Sequence, residues 1–317
     1  MSIYHLNAKI FGRGDGVSII ARAAYRSGTR MRDPETGRTF NYRRKKEVAF
    51  TEISLCANAP ISYLNRQTLW ASVQKVEKPS NAQFAREIEV AIPIEFTREQ
   101  QINVLREFIH ENFTSKGMIC DRAIHDKAGN PHAHLLLTMR PVKEDGTWGP
   151  KKLATYVLDP ETGERIPVID PKTGQQKKDR HNRLQWKRIT APSTDWNCPE
   201  TFARWRTGWA DACNRELEKI GAEMISEKSY RDRGIDREST IHEGYAARKI
   251  EAMGGISERC EINRTIRKKN RLLEEIRTRL SAIQKEIALL VQERKRAVKK
   301  LLELTDDGQH VSQDITR

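Results

Sequence analysis

The sequence predicts an α+β protein with a central antiparallel sheet, helices packed on that sheet, and a long C-terminal helix or coiled coil. Residues 86–92 alternate polar and apolar side chains, which is typical of a strand with one buried face. Residues 118–125 and 132–139 have the pattern of two strands joined by a short turn, so we expect antiparallel neighbours. Apolar residues near heptad spacing across 256–305 indicate a long amphipathic helix, and a coiled coil would bury its stripe.

Further strands and helices complete the first part of the chain. Residues 3–10 have the composition of a strand, and residues 18–27 predict a helix with Ser18 as its N-cap and Gly28 as its stop signal. The turn residues of 33–40 predict a hairpin or loop. Two more helices follow, one opened by the capping-box pair Thr97 and Gln100 and one across 200–220.

These elements group into one domain and one extension. We expect residues 1–250 to form the first domain, with a turn-rich insertion at 142–195 that carries two D-P-x-T-G units. A surface hairpin explains that composition, and we assign it no chemistry. Residues 256–305 form the predicted basic helix, which offers a surface for oligomerisation, and residues 306–317 form a polar tail.

The charge of the chain favours a polyanionic partner. A net charge of +14 over 317 residues points to nucleic acid, with an anionic membrane surface as the alternative. We find no apolar run that could span a bilayer and no secretory signal. The five cysteines are scattered without a C-x-x-C motif, so neither a zinc ribbon nor a disulfide framework is indicated. We therefore expect a cytoplasmic protein.

Three histidines form the sharpest local signal. His132 and His134 are two apart in a predicted strand, so both imidazoles point to the same face. His125 ends the preceding strand, and a hairpin would bring it beside the pair. Three neutral imidazoles can hold a metal ion and leave coordination positions open for a substrate oxygen. The alternative is that these side chains only satisfy hydrogen bonds near a turn.

The carboxylates near this hairpin offer partners for the histidines. Glu87 and Glu89 also lie two apart in a strand, so a cation or a basic side chain should lie close to them. One of them can accept a histidine N–H or take up a proton. Asp121 shares a face with His125 and is a weaker candidate for the same role. An exposed strand face is the alternative for the two glutamates.

Tyr25 lies on the predicted helix 18–27 between Arg22 and Arg26. A phenol is protonated at neutral pH and is a weak nucleophile unless cations or a polarised phosphate assist it. On these grounds alone, packing is the better explanation of a single helical tyrosine.

The motifs taken together resemble the MobA/MobL family of conjugative relaxases, including the relaxase domain of TraA-type proteins. The resemblance covers about residues 1 to 250. It is carried in order by SIYHLNAKI, GVSIIARAAYRSG, AREIEVAIP, AIHDKAGNPHAHLLLTMR, RWRTGWADACNRELEKIGAE and SYRDRGID. It implies the histidine–hydrophobe–histidine endonuclease fold. Some TraA-type relatives also carry a helicase, but no G-x-x-x-x-G-K-[ST] motif occurs here, so no helicase is implied.

The family resemblance also implies an activity. Such a relaxase nicks one DNA strand at a plasmid transfer origin, with Tyr25 as the nucleophile and a 5′-phosphotyrosyl intermediate, during conjugative mobilisation. The implied partners are single-stranded origin DNA, relaxosome accessory proteins and the coupling protein of a type IV secretion system. A rolling-circle replication initiator with the same chemistry, or a DNA-binding protein without catalysis, are the alternatives.

The resemblance assigns roles to individual residues. The implied ligands of a divalent metal ion are His125, His132 and His134. Mn²⁺ or Mg²⁺ is the expected ion, and Zn²⁺, Ni²⁺ or Co²⁺ also suits imidazole ligands. Glu87 and Glu89 are the implied catalytic carboxylates. For DNA contacts we single out the two arginines that flank the tyrosine, Arg22 and Arg26.

Overall fold

The computed structural model describes residues 4–127 and 129–314. They divide into two compact units, which part between Glu227 and Lys228. Its strands are β1 (Leu6–Gly12), β2 (Arg30–Arg32), β3 (Thr39–Asn41), β4 (Val48–Ser54), β5 (Gln83–Ala91), β6 (Cys120–Lys127), β7 (Asn130–Thr138), β8 (Lys152–Tyr156) and β9 (Arg188–Pro192). Its helices are α1 (Ile19–Ser27), α2 (Arg66–Val76), α3 (Arg98–Asn112), α4 (Pro199–Lys219), α5 (Gly244–Ala252) and α6 (Glu258–Asp314).

A five-stranded antiparallel sheet with the order β1-β5-β7-β6-β4 forms the centre of the first unit. β6 and β7 are separated by only two residues and pair along their whole length, as their sequence pattern predicts. The remaining strands of this unit form two small ladders, β2 with β3 and β8 with β9. The predicted α+β class is therefore confirmed, with one central sheet and a long final helix.

Each face of the sheet carries its own apolar core. One core joins the sheet to α3 and α4 and contains aromatic side chains that meet edge to face, among them Phe108, Trp205 and Trp209. The other joins the sheet to α1 and α2 and includes Ile20, Ala24, Trp70 and Leu136. Because strand residues alternate between faces, even-numbered residues 132 to 136 of β7 share the face of Leu136, the face that α1 covers. The histidines of β7 therefore belong to the α1 side.

Helix α1 begins and ends where the sequence predicts. The Ser18 side chain accepts a hydrogen bond from the Ile20 amide, which caps the first turn. Gly28 closes the helix with a φ of 64°, a conformation that costs little without a Cβ atom. A Cβ atom at this position would also lie 3.1 Å from the Val48 side chain, so β4 packs closely on the end of α1. The capping box of Thr97 and Gln100 is likewise present at the start of α3.

Asp121, which we considered as a partner for the histidines, fixes helix α2 instead. Its buried carboxylate accepts hydrogen bonds from Nε of Arg66 at 2.8 and 2.9 Å and from Nε1 of Trp70 at 2.8 Å. Both donors come from α2, so this carboxylate ties α2 to β6. The sequence pattern assigned Asp121 to the correct face but could not identify which neighbour would take its charge.

The insertion at 142–195 is a set of short hairpins rooted in β8 and β9. Its two D-P-x-T-G units form the same turn. In each, the aspartate Oδ1 accepts the amide two residues on, and the glycine adopts a φ near 70°. Asp33 and Gly37, between β2 and β3, build this turn a third time. Aspartate and glycine are the residues that such a turn requires.

The second unit consists of α5, α6 and the segment before them. Two side-chain amides of α6 bind this segment: Asn263 pairs with the backbone N–H and C=O of Ile241, and Asn270 with those of Glu238. Residues 228–250, which we grouped with the first domain, are therefore held by the second unit. α6 also continues to Asp314, into the predicted polar tail, since a helix needs only backbone hydrogen bonds to continue.

An exposed apolar stripe runs along α6, and its residues Leu280, Ile283 and Ile287 are each more than half exposed. Assembly through this stripe remains a prediction. Among the described residues, no helix combines the length and hydropathy needed to cross a membrane.

The role of Asp121 can be tested by its replacement with alanine. Asp121→Ala removes the acceptor of one partly buried guanidinium and one buried indole N–H, so we expect a loss of about 3 kcal/mol in the free energy of unfolding. The matched control is Glu107→Ala, because Glu107 pairs with Arg215 in an exposed ion pair. That change should cost less than about 1 kcal/mol. Urea unfolding of both variants gives the comparison, and equal losses would contradict the assigned role.

Candidate metal centre and tyrosine helix

The β6–β7 hairpin brings the three predicted histidines together. His125 and His132 are direct register partners, and His134 is the next residue on the same face. The ring centroids lie 4.6 to 5.4 Å apart. One ring nitrogen from each side chain can be chosen so that all three lie within 4.8 Å of one another. The strand period and the short turn are sufficient to build this cluster.

Each histidine has one ring nitrogen bound to an oxygen that can only accept a hydrogen bond. Nε2 of His125 lies 2.7 Å from the backbone oxygen of Arg26, and Nδ1 of His132 lies 2.9 Å from that of Asn130. Nδ1 of His134 lies 3.0 Å from a carboxylate oxygen of Glu87. These nitrogens must therefore carry the proton, which leaves Nδ1 of His125 and Nε2 of the other two with a lone pair.

The chemistry of this donor set fits a divalent metal ion. Metal-binding histidines commonly donate their second ring N–H to a carbonyl or carboxylate, the arrangement present at all three positions. Burial lowers the pKa of His125 to about 4, more than its hydrogen bond to Arg26 raises it. The His125 ring is therefore neutral at pH 7, as a ligand must be. Three nitrogen ligands leave room for further ligands from a substrate.

Glu87 and Glu89, equivalent in the sequence pattern, have different surroundings. Glu87 is buried and is bound by the guanidinium of Arg26, with 2.7 Å between Nη2 and Oε2, and by His134. Burial alone would raise the pKa of Glu87, but the hydrogen bonds from Arg26 and His134 outweigh it and lower the pKa to about 2. Glu87 is therefore a charged acceptor that orients His134. Glu89 is half-buried and stands directly opposite His134 in the strand register.

Arg26 connects helix α1 to two of the histidines. Its backbone oxygen accepts the N–H of His125, and its side chain holds Glu87, which in turn holds His134. The guanidinium of Arg26 is thus engaged within the protein. Arg22 lies one turn earlier, 3.9 Å from the ring centroid of Phe11, and forms an ion pair with Asp15. Contacts of either arginine with DNA remain predictions.

Tyr25 is about half exposed on α1, immediately before Arg26. Its ring meets that of Tyr42 edge to face, with the centroids 5.2 Å apart. Nζ of Lys45 lies 3.7 Å from the centroid of the Tyr25 ring and 3.3 Å from its backbone oxygen. Neither Lys45 nor Tyr42 is among the residues that the sequence pattern predicts for this site. The basic run Arg43–Lys46 was the available signal, but it resembles an ordinary solvated loop.

Residues 17–253 match the MobA/MobL family, which is three quarters of the chain. The chain belongs to the MobA/MobL family. This match confirms the resemblance drawn from the motifs, and it includes α1, β5 and the β6–β7 hairpin.

Named members and a solved structure agree with this assignment. The chain is 40% identical over 89% of its length to "Probable mobilization protein MobA" of Bifidobacterium longum, and 34% identical over 85% to "Conjugal transfer protein TraA" of Agrobacterium fabrum. It spans about half of the first protein and about a quarter of the second. A structure described as the molecular basis of vancomycin resistance transfer in Staphylococcus aureus matches 72% of this chain and all of its own, at a TM-score of 0.57 and 29% identity.

The difference between the two glutamates predicts different effects on metal binding. Glu87→Gln weakens the acceptor for His134, so the affinity for Mn²⁺ should fall by about 10- to 100-fold. Glu89→Gln removes the same charge from the same strand face without touching that hydrogen bond, and it should change the affinity far less. Isothermal titration of metal-free protein with Mn²⁺ measures both, and thermal unfolding verifies that both variants are folded. Unchanged affinity in Glu87→Gln would contradict the assignment.

Proposed function

We propose that this chain is a relaxase that nicks one strand of DNA at a plasmid transfer origin for conjugative mobilisation, with Tyr25 as the nucleophile. The observation that carries the proposal is the position of Tyr25. It is exposed on α1 next to Arg26, the residue that ties this helix to His125 and to Glu87. Family membership and the names of the relatives support transfer over replication initiation.

The proposed reaction exchanges one phosphodiester for another. The phenol oxygen of Tyr25 attacks the scissile phosphorus, a bond forms between them, and the bond from phosphorus to the 3′ oxygen breaks. The phenol gives up one proton and the departing 3′ oxygen takes one up, so the protons balance. The products are a free 3′ hydroxyl and a 5′-phosphotyrosyl bond. Because bond types are conserved, the step is reversible and can rejoin the strand later.

The other residues of the site have separate roles in the proposed reaction. His125, His132 and His134 would hold the divalent ion through their free ring nitrogens. When bound there, such an ion neutralises charge on the scissile phosphate. Glu87 keeps His134 in its tautomer and is a weak base at a pKa of about 2. Glu89 is the better candidate to accept the phenol proton, since it lies opposite His134 on the sheet face that carries the histidines.

The proposed partners follow from the charge and the family. Single-stranded origin DNA suits a chain with a net charge of +14. We propose relaxosome accessory proteins and a type IV coupling protein as further partners. The exposed apolar stripe on α6 would be a surface for assembly. All five cysteines lie within the described residues and are free, which fits a reducing compartment such as the cytoplasm.

The central test is the replacement of Tyr25 by phenylalanine. Tyr25→Phe removes one oxygen and keeps the ring that contacts Tyr42 and Lys45, so the fold and DNA binding should be retained. The covalent protein–DNA adduct should fall below detection, because phenylalanine has no nucleophile. The measurement is the shift of labelled single-stranded origin DNA on a denaturing gel, with mass spectrometry of the DNA-linked peptide.

Tyr42→Phe is the matched control for this test, because Tyr42 is the aromatic neighbour of Tyr25. It should still form the adduct. An adduct in Tyr25→Phe, or a linked peptide without residue 25, would overturn the nucleophile assignment. A wild-type protein that binds origin DNA without forming an adduct would favour a DNA-binding function without catalysis.

A further inference from the structure

The last turn of α1 leaves backbone oxygens without partners inside the helix, as every helix end does. The amides of Gly28 and Thr29 both bind the oxygen of Ala24. The next oxygen, that of Tyr25, accepts a hydrogen bond from Nζ of Lys45 at 3.3 Å. The oxygen of Arg26 accepts its bond from His125. The segment before β4 and the hairpin β6–β7 therefore complete the end of the tyrosine helix.

Lys45 contacts the side chain of Tyr25 as well as its backbone. Nζ lies 3.7 Å from the centroid of the phenol ring, on the ring face, where the electron-rich π system attracts a cation. Tyr42 contacts the same ring edge to face, and the amide of Lys45 donates to the oxygen of Tyr42. The phenol is thus held by a cation on its face and a second ring beside it.

The position of Lys45 within its basic run distinguishes it from its neighbours. Arg43, Arg44 and Lys46 are exposed, whereas the side chain of Lys45 is only 12% exposed and pairs with Glu47 at 3.0 Å. A lysine that served only to attract DNA would not need to lie over one ring with its stem buried. The side-chain entropy lost in this arrangement indicates a specific contact.

We propose that Lys45 is a positioning residue for Tyr25, which fixes the ring and the helix end so that the phenol oxygen keeps one direction relative to the histidine cluster. This inference rests on the proposed nucleophilic role of Tyr25. Its physical basis is that a near-attack geometry must be held closely, and a displacement of about 1 Å can cost on the order of 100-fold in rate.

The test compares Lys45→Met with Lys46→Met in the full-length chain. Both remove one positive charge from the same loop, but only the first removes the contacts with Tyr25. At saturating origin DNA, Lys45→Met should slow single-turnover adduct formation by about 10- to 100-fold. Lys46→Met should leave this rate near that of wild type. The two Kd values for DNA should be similar, and Lys45→Arg, which restores a cation over the ring, should recover part of the rate.

A second measurement reads the ring directly and needs no activity. With 3-fluorotyrosine at position 25, the fluorine NMR signal should shift and narrow in Lys45→Met and stay unchanged in Lys46→Met. Thermal unfolding identifies a variant that fails to fold, and Lys45→Gln then replaces Lys45→Met.

The outcomes separate the two proposals. Equal slowing in Lys45→Met and Lys46→Met would show that the loop acts through charge alone and would overturn the positioning role. A wild-type rate in Lys45→Met, or an unchanged fluorine signal, would overturn it as well. A wild-type protein that forms no adduct would instead refute the proposed function, and the fluorine signal would then show only whether Lys45 holds the ring.

Discussion

The backbone oxygens at the end of α1, which find no donor within the helix, are the constraint on which the rest of the site depends. A short helix must find outside donors for its last carbonyls. Here the donors are His125, for the oxygen of Arg26, and Lys45, for the oxygen of Tyr25. The helix that carries the tyrosine is therefore completed by the hairpin that carries the histidines. The hydrogen bond from His125 that completes the helix end therefore also holds this end of α1 against the histidine cluster.

The charge balance of the cluster follows from the same helix. Glu87 would be an uncompensated buried anion without Arg26, and burying such a charge is costly. With the pair formed, the carboxylate serves His134 as an acceptor and adds no net charge. Imidazole ligands are uncharged, so in the proposed reaction a divalent ion held by them would keep its full positive charge for a phosphate oxygen. A carboxylate ligand set would neutralise part of it.

A feature of this site can be predicted from the sequence when residues close together in the chain determine it. The histidine cluster needs only the strand period and a short turn, so the spacing of His132 and His134 predicts it. The roles of Glu87 and Glu89 differ because Arg26, 61 positions before Glu87, binds Glu87. A local sequence pattern cannot show a contact over that separation. The partners of Asp121, which are Arg66 and Trp70 on α2, are likewise 55 and 51 positions away in the sequence. Lys45 was hidden because four adjacent basic residues give no indication of which one points inward.

The turns with the sequence D-P-x-T-G have a consequence for how this chain can vary. In each, a six-residue segment supplies the hydrogen bonds of the reversal, first at 33–38 and again at 159–164 and 170–175. Oδ1 of Asp33 also accepts a hydrogen bond from Nε2 of Gln74, so the self-contained units are the two in the insertion. We therefore expect that the insertion can gain or lose whole hairpins while the sheet that holds the histidines stays in register. Loop length can then vary without moving the histidine cluster.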